Sequence, residues 1–270
     1  DTIYVTGLFM GIDGKYSTTS SFFTNISKEP STITTFTGTI SEASEYYALY
    51  PYREDVSIWS GETWNDNTQQ WNFSYSLGFN LPNVQQYRHE SFAPGSFPMV
   101  AQQNEEGTLE FKNLLGVMVI NMTGQDTIRS IRFTAKTESG KNATLCGPCL
   151  VPFDTLGKED GYFRFTESEE YPYFATDAIT LDCGEQGVEL DSETPTRFYF
   201  ALPPATYYGF TVAISTTDGR TMYKQGKNNL TIKRSNVSKS GVLEYMENVS
   251  VDLSTRGTSN CYIVSEPGYY

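Results

Sequence analysis

Along most of this chain apolar and polar residues alternate one for one. That is the period of a strand with one buried and one wet face, and the 3.6-residue helical spacing hardly appears. Trp71, Phe73, Tyr75, Leu77 and Phe79 fall on one face, with Asn72, Ser74, Ser76, Gly78 and Asn80 on the other. Ile131, Phe133 and Ala135 alternate with Arg132, Thr134 and Lys136, and Phe210, Val212 and Ile214 with Thr211, Ala213 and Ser215. The same reading predicts strands over 3–9, 33–39, 46–50, 162–166, 178–181 and 198–202. Single wet faces imply antiparallel sheet, whereas 114–120, apolar throughout, is expected to be covered on both sides.

Turn chemistry agrees. Asp218-Gly219 separates two alternating runs and is expected to form a two-residue hairpin with positive φ at both central positions; Asp13-Gly14 and Asp160-Gly161 repeat the signal. About fourteen short strands exceed one small sandwich, so the pattern predicts an all-β chain of two tandem β-sandwiches. The boundary is expected in the polar stretch 102–107, after the Pro-rich 92–98. The domains are then 1–105 and 106–253, with 254–270 a linker and the start of a further module.

Composition narrows the class. With 38% apolar and 14% aromatic residues, the 270-residue chain can bury a substantial core. Its 32 acidic against 19 basic residues give a net charge of −13, a field that repels phosphates and anionic membranes, so no nucleic-acid partner is expected. The longest apolar run, 114–120, falls far short of the ~18 residues of a membrane-spanning helix.

Reactive chemistry is sparse. His89 is the single histidine, so any Ser-His-Asp or Cys-His system must use it, yet it sits in the polar stretch 85–90, which reads as surface loop. Cys146-Gly147-Pro148-Cys149 spells a dithiol motif, but redox use requires a helix opening there, and Leu150-Val151-Pro152-Phe153 carries no helical period. A disulfide from either cysteine to Cys183 stays open, and a zinc site would need Cys261 from beyond the linker. Glu167, Glu169, Glu170, Asp182, Glu185 and Asp191 are expected to form a solvated acidic face rather than a calcium site or a glycosidase pair. No catalytic, cofactor or metal-binding residue is expected, and the chain is not read as an enzyme. The remaining candidate is Trp59, Trp64, Trp71 and Tyr75, with Asn65, Asn67, Gln69 and Gln70 nearby: flat apolar rings with amide partners suit a glycan platform. The competing reading makes Trp71 a core anchor with the others at its edge, and side-by-side exposure of Trp59 and Trp64 separates the two.

Five stretches together resemble the fimbrillin-like surface proteins of Bacteroidales bacteria. They are Tyr46-Tyr47-Ala48-Leu49-Tyr50-Pro51-Tyr52, Leu109-Glu110-Phe111-Lys112-Asn113-Leu114-Leu115-Gly116-Val117, Ser130-Ile131-Arg132-Phe133-Thr134, Phe198-Tyr199-Phe200-Ala201-Leu202-Pro203-Pro204-Ala205-Thr206-Tyr207 and Leu230-Thr231-Ile232-Lys233-Arg234-Ser235. The resemblance covers the chain from Asp1 to about Leu253, and the stretch from Cys261 looks like the opening of a further module. It implies two transthyretin-like, Greek-key sandwiches and export as an outer-membrane lipoprotein, attached through a lipid anchor outside this sequence. It also implies a role as pilus subunit, tip or adhesin whose partners are other fimbrial subunits, taken up by strand exchange, or a host or bacterial surface receptor, glycan included. The candidate donor strand is Val249, Val251 and Leu253, with Ser250 and Asp252 outward; the acceptor flanks the first core beside Ile3, Val5 and Phe9. The alternative function is a glycan-binding surface lipoprotein.

Overall fold

Strand follows strand wherever the alternating pattern runs. The computed structural model describes residues 1–10, 16–27, 33–93, 95–156, 162–166, 177–226 and 228–245. Among these, the only helical element is the single 3-10 turn Phe153–Thr155. The fold is all-β, and the predicted strands appear as Thr2–Met10, Glu45–Tyr50, Gln70–Leu81, Gly116–Thr123, Thr127–Ala135, Ala178–Asp182, Thr196–Leu202 and Phe210–Thr216. The strands expected over 33–39 and 162–166 shrink to the two-residue Phe36–Thr37 and Arg164–Phe165.

Two compact units form, and each is discontinuous in sequence: among the described residues one takes 1–82, 95–116 and 146–166, the other 83–93, 117–145 and 177–245. The single division expected at 102–107 is therefore not where the units part. That polar stretch is a tight turn inside the first unit. Gly107 N–H donates to Asn104 O at 3.0 Å and Asn104 N–H to Thr108 O at 2.9 Å, and Gly107 takes φ +81°. The Asn104 side chain accepts from the N–H groups of Glu106 and Thr108, which fastens Met99–Gln102 to the chain coming back. Polar composition marked a hairpin, not a linker.

The first unit has two sheets. One orders Lys112–Asn113, Met99–Gln102, Glu45–Tyr50, Thr2–Met10, Tyr16–Asn25 and Phe36–Thr37; the other orders Arg164–Phe165, Gly147–Pro152, Gln70–Leu81 and Ser57–Asn65. Tyr47 and Phe153 stack at 4.1 Å between ring centres, joining the larger sheet to the 3-10 turn that follows Gly147–Pro152. On the other face of the larger sheet Ile3, Val5, Ala48 and Ala101 form a small core under Phe23, Phe36, Ile40, Leu109 and Phe111. Thr2–Met10 is thus buried on both faces and paired on both edges, by Tyr16–Asn25 and Glu45–Tyr50.

The second unit centres on Phe133, whose ring lies 6.1 Å from Phe200, 6.4 Å from Tyr207 and 5.6 Å from Phe210. Its large sheet orders Thr221–Gly226, Phe210–Thr216, Thr127–Ala135, Ala178–Asp182, Val84–Arg88 and Ser91–Phe92, with Val188–Glu189 also on Thr127–Ala135. A three-stranded sheet orders Thr196–Leu202, Gly116–Thr123 and Val237–Glu244, and Ala205–Tyr207 pairs with Leu230–Ile232. Gly116–Thr123 is covered on both faces, as its unbroken apolar run predicts. Two pairings depart from the antiparallel expectation: Ala178–Asp182 with Val84–Arg88 and Gly116–Thr123 with Val237–Glu244 are parallel.

Asp218-Gly219 turns by a different mechanism from the one expected. Gly219 N–H donates to Thr216 O at 3.1 Å, Thr216 N–H donates to Arg220 O at 2.9 Å, and Gly219 takes φ +89°. Asp218 keeps an ordinary φ, so the loop is a three-residue type I turn followed by a left-handed glycine. The Asp218 carboxylate contributes as an acceptor instead, from Thr216 Oγ1 at 2.5 Å and from Arg220 Nε at 2.8 Å. Asp13-Gly14 and Asp160-Gly161 lie outside the described residues.

Candidate functional site

The dithiol motif lies on sheet. Gly147–Pro152 is a strand paired antiparallel with Gln70–Leu81, and Cys146 and Cys149 are both buried. The Cys149 thiol donates to Phe79 O at 3.3 Å, and burial pushes its pKa up to about 12. Cys183 also rises to about 12, through burial and then the neighbouring Asp182 carboxylate. Cys149 and Cys183 carry free thiols. A group held neutral so far above pH 7 is a poor nucleophile, so the arrangement supports small buried side chains rather than redox chemistry.

Histidine and the acids are equally dispersed. His89 is exposed in the two-residue turn that joins Val84–Arg88 to Ser91–Phe92. The stretch 85–90 is therefore a strand and a turn, not a loop, and Gln85 within it is 2% exposed. Its amide Nε2 donates to Ala201 O at 2.8 Å and its Oε1 accepts from Ala201 N at 3.0 Å. One side chain thereby satisfies both backbone groups of a buried residue on another sheet. Asp191 caps a turn by accepting from Glu193 N and Thr194 N. Asp182 accepts from Gly184 N and pairs with Arg129, which together hold its carboxyl below the usual range. Glu167, Glu169 and Glu170 lie outside the described residues, and among those described no three His, Cys, Asp or Glu side chains gather as metal ligands.

The aromatic candidates come from one long hairpin, Ser57–Asn65 with Gln70–Leu81. Register pairs Trp59 with Ser76, Gly61 with Ser74, Thr63 with Asn72 and Trp64 with Trp71. Trp59 and Trp64 stand an odd number of positions apart on one strand, so those positions belong to opposite faces. The four-residue platform is not a single surface. Tyr75 goes with the inward row of Leu77 and Phe79; its ring meets Tyr16 at 6.1 Å and its hydroxyl donates to Tyr16 O at 3.1 Å. The side chains of Trp64, Trp71 and Gln70 are outside those described.

Trp59 is 55% exposed on the outward face, yet it is fixed. Its Nε1–H donates to Ser57 Oγ at 2.9 Å, and the indole lies across Gly78, where a Cβ would stand 2.5 Å from Cδ1 and Nε1. Towards the hairpin base, Asp55 accepts from Asn80 N at 2.9 Å and from Arg53 Nε at 2.8 Å. Burial raises the Asp55 carboxyl, and the Arg53 and Asn80 hydrogen bonds outweigh it to leave a net lowering.

A second exposed feature is the margin of the three-stranded sheet. Val237–Glu244 ends that sheet among the described residues, with Val237 55% and Val242 58% exposed. The candidate donor residues Val249, Val251 and Leu253 lie beyond it, outside the described residues, as does 254–270. No family model matches the chain, and no curated protein is similar enough to count as a relative.

Proposed function

We infer that this chain is a non-enzymatic cell-surface adhesin or fimbrial subunit or tip, exported and held at the outer membrane by a lipid anchor. In this reading it is built from transthyretin-like sandwiches and meets its partners through β-strand addition and exposed loops. The observation that carries the reading is the Val237–Glu244 margin, an eight-residue strand at the end of its sheet with two exposed valines. Backbone N–H and C=O groups along such a margin pair with an extended segment of another chain, and alternate side chains then fill pockets. The alternating Val249, Val251 and Leu253 follow directly in sequence and suit the donor role. The doubly paired Thr2–Met10 strand means that an acceptor groove beside Ile3, Val5 and Phe9 opens only after one of its neighbours leaves.

The test uses the purified full chain. Negative-stain electron microscopy is expected to reveal filaments, or a cell-binding assay saturable attachment to host or bacterial cells. The absence of both filaments and attachment overturns the reading.

A further inference from the structure

The geometry points to the outward face of the Ser57–Asn65 and Gln70–Leu81 hairpin as a binding site for a neutral, linear oligosaccharide, stacked on Trp59. This rests on the adhesive reading only in that it names a ligand class for it.

Trp59 is held rigid. An exposed indole normally samples several rotamers, and ordering it on binding costs free energy. Here the Nε1 hydrogen bond to Ser57 and the seat on Gly78 fix the ring beforehand, with more than half of the residue left open. Stacking against a fixed ring recovers more of its contact energy.

Area decides the kind of partner. Beyond Trp59 towards the tip, the outward positions are Gly61, Ser74, Thr63 and Asn72, all exposed and all small or polar. The exposed apolar surface there is about half of one indole side chain, on the order of 100 Å². A stable protein partner needs ~800 Å² on each side. A single flat ring instead matches the apolar face of one sugar.

Rim chemistry and length then define the ligand. Ser74, Thr63 and Asn72 carry hydroxyl and amide groups and none of the four positions carries a formal charge, while Glu62 falls on the opposite face. The net charge of −13 disfavours anionic glycans, so the fitting ligand is neutral. Gly61 keeps the surface beside the indole low, since a Cβ there would stand 2.9 Å from Ser74 Oγ. From Trp59 to Thr63 the strand rises ~13 Å at ~3.3 Å per residue, which accommodates two or more sugars along the lane.

The experiment titrates di- and tetrasaccharides of glucose, galactose, mannose, xylose and N-acetylglucosamine into the ¹⁵N-labelled full chain. It follows the Trp59 indole N–H resonance, assigned by its disappearance in Trp59→Phe. At least one series is expected to shift it saturably, with the tetrasaccharide binding more tightly. Read from the backbone amides of the same hairpin, Trp59→Ala is expected to weaken that binding at least tenfold, and Gly61→Val, which fills the lane and leaves the indole in place, several-fold. Phe73→Ala, on the other face, is expected to leave it unchanged. No saturable shift with any member overturns the site, as does unaltered binding by Trp59→Ala or by Gly61→Val. Cell attachment separates the two readings. Equal attachment by wild type and Trp59→Ala removes the glycan site and leaves the adhesin standing. Oligosaccharide binding without filaments or attachment does the reverse.

Discussion

Two hairpins, one in each unit, use the same parts to opposite ends. In Ser57–Asn65 with Gln70–Leu81, Trp59 lies over Gly78; in Phe210–Thr216 with Thr221–Gly226, Phe210 lies over Gly226, its direct register partner. Each hairpin also has an arginine paired with an aspartate two residues away, Arg53–Asp55 just before the first and Arg220–Asp218 in the turn of the second. The difference is what stands on the far side of the ring. Phe210 meets Phe133 at the centre of a core, whereas Trp59 meets solvent. A glycine beneath an aromatic ring lets the ring approach the backbone closely, and this covers weak strand positions left by glycine. In the core the device locks a strand pair; on the surface it presents a ring.

The largest effect is expected at Phe210. Phe210→Ala is expected to cost about 3 kcal/mol, the low end for a buried phenylalanine because this ring is only partly covered. Gly226→Ala follows at about 2 kcal/mol, since its Cβ would stand 2.1 Å from Phe210 Cε1 and Phe133 blocks the ring's retreat. Urea unfolding of both variants reads the two values; a near-neutral Gly226→Ala would mean that the ring is free to move. Gln85→Leu tests the same core from its polar side, at about 2 kcal/mol, because it strands the N–H and C=O of Ala201 that Gln85 satisfies. Loss of less than ~0.5 kcal/mol in the same assay would mean that water replaces the amide.

Gly78→Ala is the surface counterpart of Gly226→Ala and is expected to change stability by no more than ~0.5 kcal/mol, because Trp59 can swing into solvent and alanine suits a strand better than glycine. The visible effect is instead on the ring. Trp59 emission is expected to shift to the red, and oligosaccharide binding to fall although every rim residue is retained. A cost comparable to that of Gly226→Ala would show that the two seats are equivalent.

Much of this was legible in the sequence, and its failures have physical causes. Alternation located Gln70–Leu81, Thr127–Ala135 and Phe210–Thr216, because a half-buried strand leaves that imprint directly. It could not separate a surface loop from a strand whose polar residue is buried, and so it missed Gln85, whose partner Ala201 is 116 residues away. It mistook a hairpin at 102–107 for a linker, since Asn104, Glu105, Glu106 and Gly107 are polar for the sake of a turn. The split of Trp59 from Trp64 was present in the spacing all along. Proximity in sequence suggested a cluster, and the two-residue period, applied to the same positions, divides them. The Gly78 seat has no local signature, because register alone brings residue 78 beneath residue 59.

The smallest effect concerns the two carboxylates at low pH. Asp218 is lowered first by its hydrogen bond from Thr216 and then by Arg220; Asp55 is lowered by Arg53 and Asn80 against its burial. A depressed folded-state value means that each contributes stability above the unfolded aspartate value, ~3.9, and loses it as pH falls through its own folded value. Both contributions are therefore complete at pH 5 and vanish in the acid limb. Their consequences differ by location. Protonating Asp218 loosens a turn that Gly219 and the backbone bonds of Thr216 already close, so the Phe210 environment is expected to persist. Protonating Asp55 weakens its hold on the Asn80 N–H and on Arg53, which keeps its bonds to Asn80 O and Gly95 O, at the base of the Trp59 hairpin, two residues from Ser57 and Gly78. Amide and indole resonances followed from pH 5 to pH 2 are expected to show Asn80 and the Trp59 Nε1–H moving together. Phe210 is expected to stay in place until global unfolding. If Trp59 stays still while Asn80 titrates, the ring's seat is set by Gly78 and Ser57 alone, and the ion pair at the hairpin base has no part in presenting it.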